Sequence, residues 1–167
     1  MGRIVVTEFV SLDGVVEDPG GAEGYKYGGW SFEFSRGEEG DKFKLDEALD
    51  AAALLLGRVT YEGFAEAWPT RTGEFADKFN NMPKYVVSST LKDPEWNNST
   101  VIAGGDLVQA LLEHDLVDEL RLMVFPVVLG SGKRLFAETT DKKPMRLTES
   151  KTVGDGVAIL VHEPVRE

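Results

Sequence analysis

The sequence predicts an α/β sandwich whose central sheet is mostly parallel and whose C-terminal edge is antiparallel. Two observations carry that prediction. Runs rich in β-branched and aromatic residues alternate with helix-like stretches through residue 117, and strand-like runs dominate afterwards. The chain has 167 residues, 42% hydrophobic and 28% charged. That suits one domain, 1–167, with one sizeable core, and argues against global disorder.

The elements follow in order. "RIVVTEFVS" (3–11) is apolar on both parities and reads as a strand near the sheet centre. Residues 12–37 form a long glycine-rich loop holding Tyr25, Tyr27, Trp30, Phe32 and Phe34. Loops of this length inside compact domains are usually functional. A helix is expected over 38–52, with Phe43, Leu45, Ala48 and Leu49 inward. "LLLGRVTYEGFAEAW" (54–68) gives a strand over 53–57 and a helix over 60–67, ending near Pro69. A second helical piece covers 73–81. "KYVVSST" (84–90) is a strand, and "TVIAGG" (100–105) is a strand ending in glycines. "DLVQALLEHD" (106–115) is a helix with Asp106 as N-cap and Leu107, Val108, Leu111 and Leu112 as its stripe. Strands follow at 118–129, 146–151 and 157–163. Pro126 interrupts the first of these, which predicts an edge or a bulge. The apolar content of that segment makes it either a homodimer seam or a strand covered by helices.

Composition excludes several classes. The net charge is −11, with 18 Lys and Arg against 29 Asp and Glu, so a basic face for nucleic acid is not expected. There is no cysteine, hence no disulfide or thiolate chemistry. The longest apolar runs fall well short of a membrane span. The chain opens on "MGRIVVTEFVS" without a leader pattern, which predicts a cytoplasmic location. His114 and His162 lack ligand spacing, so no metal is expected. Met82, Met123 and Met145 read as core or interface filler.

Three strand ends carry ligand-type chemistry: Gly57-Arg58-Val59-Thr60, Ser88-Ser89-Thr90 and Gly104-Gly105-Asp106. Ligands of open α/β sheets bind outside the carboxyl ends of parallel strands. Glycine admits close backbone approach, arginine grips a phosphate, hydroxyls add neutral donors, and helix N-termini favour anions. Each end also has a plain reading: a turn, a helix cap, a surface charge. Neither GxGxxG nor GxxxxGK[ST] is present.

"SLDG", "LLLGRVTYE", "KYVVSSTL" and "LVDELRLMVFPVVLGSGKRLF" together resemble the dihydrofolate-reductase-like superfamily, in the branch of the reductase domain of riboflavin biosynthesis. The resemblance covers nearly the whole chain. It implies a three-layer sandwich and a homodimeric NADPH-dependent reductase. Its substrate would be a small pterin- or pyrimidine-like heterocycle, as for 5-amino-6-(5-phosphoribosylamino)uracil reductase. Gly57, Arg58, Thr60, Ser88, Ser89, Gly104 and Gly105 would hold the cofactor phosphates, and Val10, Ser11 and Gly14 would lie against the nicotinamide. Asp13 is the leading catalytic or substrate-contacting acid, ahead of Glu17, Asp18, Asp41 and Asp46, although Asp-Gly is also a standard turn pair. Tyr25 and Trp30 are expected against the substrate, with a collapsed loop core or a dimer contact as the alternative. Lys133 and Arg134 would serve a phosphorylated substrate or be solvated. The helix "EEGDKFKLDE" lacks an unambiguous pterin-anchoring carboxylate, which disfavours a dihydrofolate reductase proper.

Two departures stand out. Relatives carry on the order of twenty more residues, a helix and a strand, between the Ser-Ser-Thr strand and "LVQALLEH". Either "TVIAGG" serves as the glycine-ended strand, or a segment has been lost and Gly104 and Gly105 belong to a loop outside the phosphate site. Asp106 is the second departure, because an acid there competes with an anion for the same amides. Both leave open a second function, a non-catalytic nucleotide-binding or stress-associated protein that keeps the fold.

Overall fold

A computed structural model describes residues 2–166. The two-sided apolar run at the start forms β1 (Val5–Ser11), and the helix expected after the aromatic loop forms α1 (Gly37–Asp50). Then come β2 (Leu54–Gly57), α2 (Arg58–Ala67), α3 (Glu74–Asn81), β3 (Lys84–Val87), β4 (Ser99–Ile102) and α4 (Leu107–Glu113). β5 (Glu119–Phe125), β6 (Met145–Val153) and β7 (Val157–Pro164) complete the order. The fold is α/β and dihydrofolate-reductase-like. The chain divides into two compact units. Residues up to Asp41 together with those from Val108 onward make the first, and Lys42–Leu107 makes the second.

The first unit is built on a four-stranded sheet of order β1-β5-β7-β6. β1 and β5 pair in parallel, Val5 opposite Glu119 through Ser11 opposite Phe125, while β7 runs antiparallel to both β5 and β6. Its core gathers Val6, Val10, Trp30, Leu120, Phe125, Val157 and Ile159, all buried. The second unit holds a parallel three-stranded sheet of order β2-β3-β4. The side chains of Leu56 and Val86 pack with Ala48, Tyr61, Phe79, Met82 and Trp96 on one face of it. Alternation along short strands leaves Leu55, Tyr85 and Ile102 on the chain's exterior, 37%, 42% and 44% exposed.

The strands fall into one mixed and one parallel sheet. Two expectations are corrected. Pro126 marks no edge: β5 stops at Phe125, and both its flanks are already paired, with β1 and with β7. The missing N–H of Pro126 ends the ladder, and Val127 N–H turns back onto Phe125 O at 2.8 Å. Trp30 is no substrate lid. It is fully buried, sits edge-on to Phe125 with ring centroids 5.4 Å apart, and donates its indole N–H to Glu17 O. The aromatic loop has collapsed into core, the outcome that burial of a tryptophan with a satisfied N–H favours.

Candidate functional site

The register of the second unit's sheet brings the three expected strand ends together. Gly57, Val87 and Ile102 are aligned partners across β2, β3 and β4. Gly57-Arg58-Thr60, Ser88-Ser89 and Gly104-Gly105 therefore leave the same carboxyl edge. α2 begins directly after Gly57, with no side-chain cap on its amides and no acid in its first turn. A helix N-terminus left in this state is positive and carries unsatisfied N–H donors. Arg58 and Thr60 are exposed there. Gly104 has a steric reason: a β-carbon on it would lie 2.5 Å from Val87 Cγ1.

The second strand end divides its roles. The buried Ser88 hydroxyl accepts the N–H groups of Thr90 (3.1 Å) and Leu91 (3.0 Å), capping its own turn. Ser89 is exposed. At the third end, β4 is the strand that "TVIAGG" predicts, placed outermost beside β3. A residue that the sequence reading passed over is Glu62. Arg58 Nη1 donates to both its carboxylate oxygens, at 2.9 Å each. The i,i+4 spacing from Arg58 was the available signal.

In the first unit, β1 runs into the Ser11–Val15 turn. Val10 and Ser11 are buried, and Gly14 sits at φ 84°, a conformation that favours glycine. The Ser11 hydroxyl accepts Val15 N–H at 2.9 Å and donates to Asp13 Oδ1 at 2.6 Å. Asp13 also accepts the amides of Leu129 (3.1 Å) and Gly130 (2.8 Å), with Arg134 Nη1 3.8 Å from its Oδ2 and hydrogen-bonded to its backbone carbonyl. Its pKa is held down to about 2, chiefly by the Ser11 hydroxyl; partial burial opposes this and the two amides add to it. These contacts give Asp13 an anchoring role in the folded chain. It ties the 129–130 segment to the end of β1.

Tyr25 is half-buried, with its hydroxyl on Ser131 O at 2.6 Å and its ring edge-on to Tyr27. Asp18, fully buried, orders the glycine-rich loop by accepting Ala22 N–H (2.7 Å) and Tyr25 N–H (3.2 Å). Among the described residues no cluster of three or more metal-ligating side chains occurs, and no helix is long and apolar enough to cross a membrane.

Comparison with known proteins follows the same outline. The uncharacterized protein YyaP of Bacillus subtilis (strain 168) is 36% identical over 186 aligned positions, covering 96% of this chain and 94% of that protein. The uncharacterized protein YwjB of the same organism is 31% identical over 166 positions, covering 90% and 91%. A crystal structure of a putative riboflavin biosynthesis protein from Shewanella sp. PV-4 superposes with a TM-score of 0.78 at 20% identity, covering 99% of this chain and 100% of that one. The 186 positions shared with YyaP exceed the 167 residues of this chain by 19, so at least that many have no counterpart here. The family match falls in two pieces, residues 3–101 and 95–159, so that 95–101 serve twice. On this match, and on the relatives that share its whole length, the chain belongs to the RibD C-terminal domain family, within the dihydrofolate-reductase-like superfamily.

Proposed function

We propose that the protein is an NADPH-dependent reductase acting on a small pyrimidine- or pterin-like heterocycle. The observation that carries this is the convergence of Gly57, Arg58, Thr60, Ser89 and Gly104 on one sheet edge beside the uncapped start of α2. The residues fit a phosphate-bearing cofactor: amides and the Thr60 hydroxyl for the pyrophosphate, and the Arg58 guanidinium for a 2′-phosphate. NADPH, when bound, supplies a hydride. The chain's task is then to hold and orient it. Asp13 keeps the Ser11–Val15 turn rigid. A homodimer and a cytoplasmic location belong to the same reading.

A direct titration tests it. NADPH is expected to bind saturably and more tightly than NADH. Arg58→Ala should weaken NADPH about tenfold and leave NADH nearly unchanged, because only the former carries the extra phosphate. Equal loss for both would remove Arg58 from that role, and no binding to either would remove the cofactor.

A second reading, a nucleotide-binding protein without turnover, is favoured by the positions of YyaP that have no counterpart here. Both readings bind the dinucleotide. Oxidation of NADPH with pyrimidine or pterin substrates separates them.

A further inference from the structure

Arg58 stands where elementary electrostatics disfavours it. A cation in the first turn of a helix opposes the macrodipole, and α2 has no acid in that turn to offset it. Its partner Glu62 lies four residues downstream, so the cation precedes the anion, the weaker order for such a pair. The pair also uses little of the guanidinium. Nη1 alone meets both oxygens of Glu62, and Nε and Nη2 have no partner among the described residues. Both side chains are close to half exposed, 44% and 49%. A cation placed against the dipole, on the sheet edge where three strand ends meet, and with most of its donors unspent, suits an anionic ligand. Glu62 then occupies the position of that ligand's competitor.

We infer that Glu62 determines cofactor specificity: it is the built-in counter-ion of Arg58, which a 2′-phosphate must displace, and it moderates the preference for NADPH over NADH. This rests on the reductase reading of the same site. A phosphate monoester near Arg58 meets the Glu62 carboxylate as a like charge, whereas the 2′-hydroxyl of NADH does not. Because the pair is exposed, solvent screens it, and the effect is modest and salt-dependent.

The experiment is a pair of titrations, NADPH and NADH, on the wild type, Glu62→Gln, Arg58→Ala and the double variant, at low and high salt. Glu62→Gln is expected to tighten NADPH about two- to threefold and leave NADH unchanged, with the gain shrinking at high salt. In the Arg58→Ala background the same change should have no effect. A wild type that prefers NADPH with a Glu62→Gln variant that does not differ from it overturns this inference and leaves the reductase reading standing. So does a gain shared by NADH, or one that persists without Arg58. A folded wild type that binds neither dinucleotide overturns both.

Discussion

In the first unit β1 and β5 run parallel, and β6 and β7 close the sheet as an antiparallel hairpin with a three-residue connection, 154–156. In the second, three strands of four residues each run parallel, and each return is a crossover. The first unit buries Trp30 and Phe125 in edge-on contact, and leaves Tyr27, Phe32 and Phe136 exposed. The second buries Tyr61, Phe79 and Trp96 on one face of its sheet and keeps Leu55, Tyr85 and Ile102 outward on the other. Parallel sheets are ordinarily covered on both faces. The phosphate-type residues sit on this half-covered sheet, and the first unit carries the anchored Asp13 turn.

The largest effect expected from breaking this contrast is in the first unit. Trp30→Ala removes a fully buried indole that meets Phe125 and Glu17. Unfolding free energy should fall by about 3–5 kcal/mol, read from urea melts. Unchanged stability with a raised KM would return Trp30 to the substrate side.

How much of this was legible in the sequence depended on how local the cause was. The strand ends at Gly57, Ser88 and Gly104 follow from short apolar runs that stop at turn residues, and their convergence follows from parallel pairing. β1 and the α4 stripe were equally plain. Trp30 was not, because a tryptophan in a glycine-rich loop looks alike whether it covers a ligand or fills a core. The choice was made by Glu17 O and Phe125, the latter some ninety-five residues away. Lys84 opens the strand read over 84–90, and its burial was not foreseen. It is fully buried, its ammonium donating to the carbonyls of Asn80, Met82 and Asn97 and lying 4.3 Å from the centre of the Trp96 ring. Burial lowers its pKa, and nothing in its neighbours along the chain announces this. Asp13 was singled out as an acid in a turn, without sight of what it holds. Its partners Leu129 and Gly130 come from the far end of the sequence, so its anchoring role appears only in the folded chain.

The Asp13 anchor makes the first unit's stability acid-sensitive in a defined window. Its pKa is about 2 when folded against an ordinary value of 3.8. The unfolded state therefore takes up the proton first as pH falls. The contribution is complete above about pH 4, is lost between about 4 and 2, and is absent below both values. Denaturation midpoints of the wild type should fall through that interval, and those of Asp13→Asn should start lower and fall less steeply. Parallel curves would mean that the carboxylate is not what ties residues 129–130 to the turn.

The smallest effect is the most telling about the second unit. Leu55 projects from the middle of β2 onto the uncovered face, one residue from the buried Leu56. Leu55→Thr should change unfolding free energy by no more than about 0.5 kcal/mol in this chain, because an already exposed side chain has little burial to lose and threonine suits a strand. The prediction sharpens with an insertion. In a variant carrying an inserted helix–strand segment between Ile102 and Leu107, a covered Leu55 would lose buried apolar area on the same substitution. The cost should then rise to about 1–2 kcal/mol. If the inserted segment docks elsewhere, the cost of Leu55→Thr will not move. If Leu55→Thr is already expensive in the chain as it stands, that face is covered in solution by something other than such a segment.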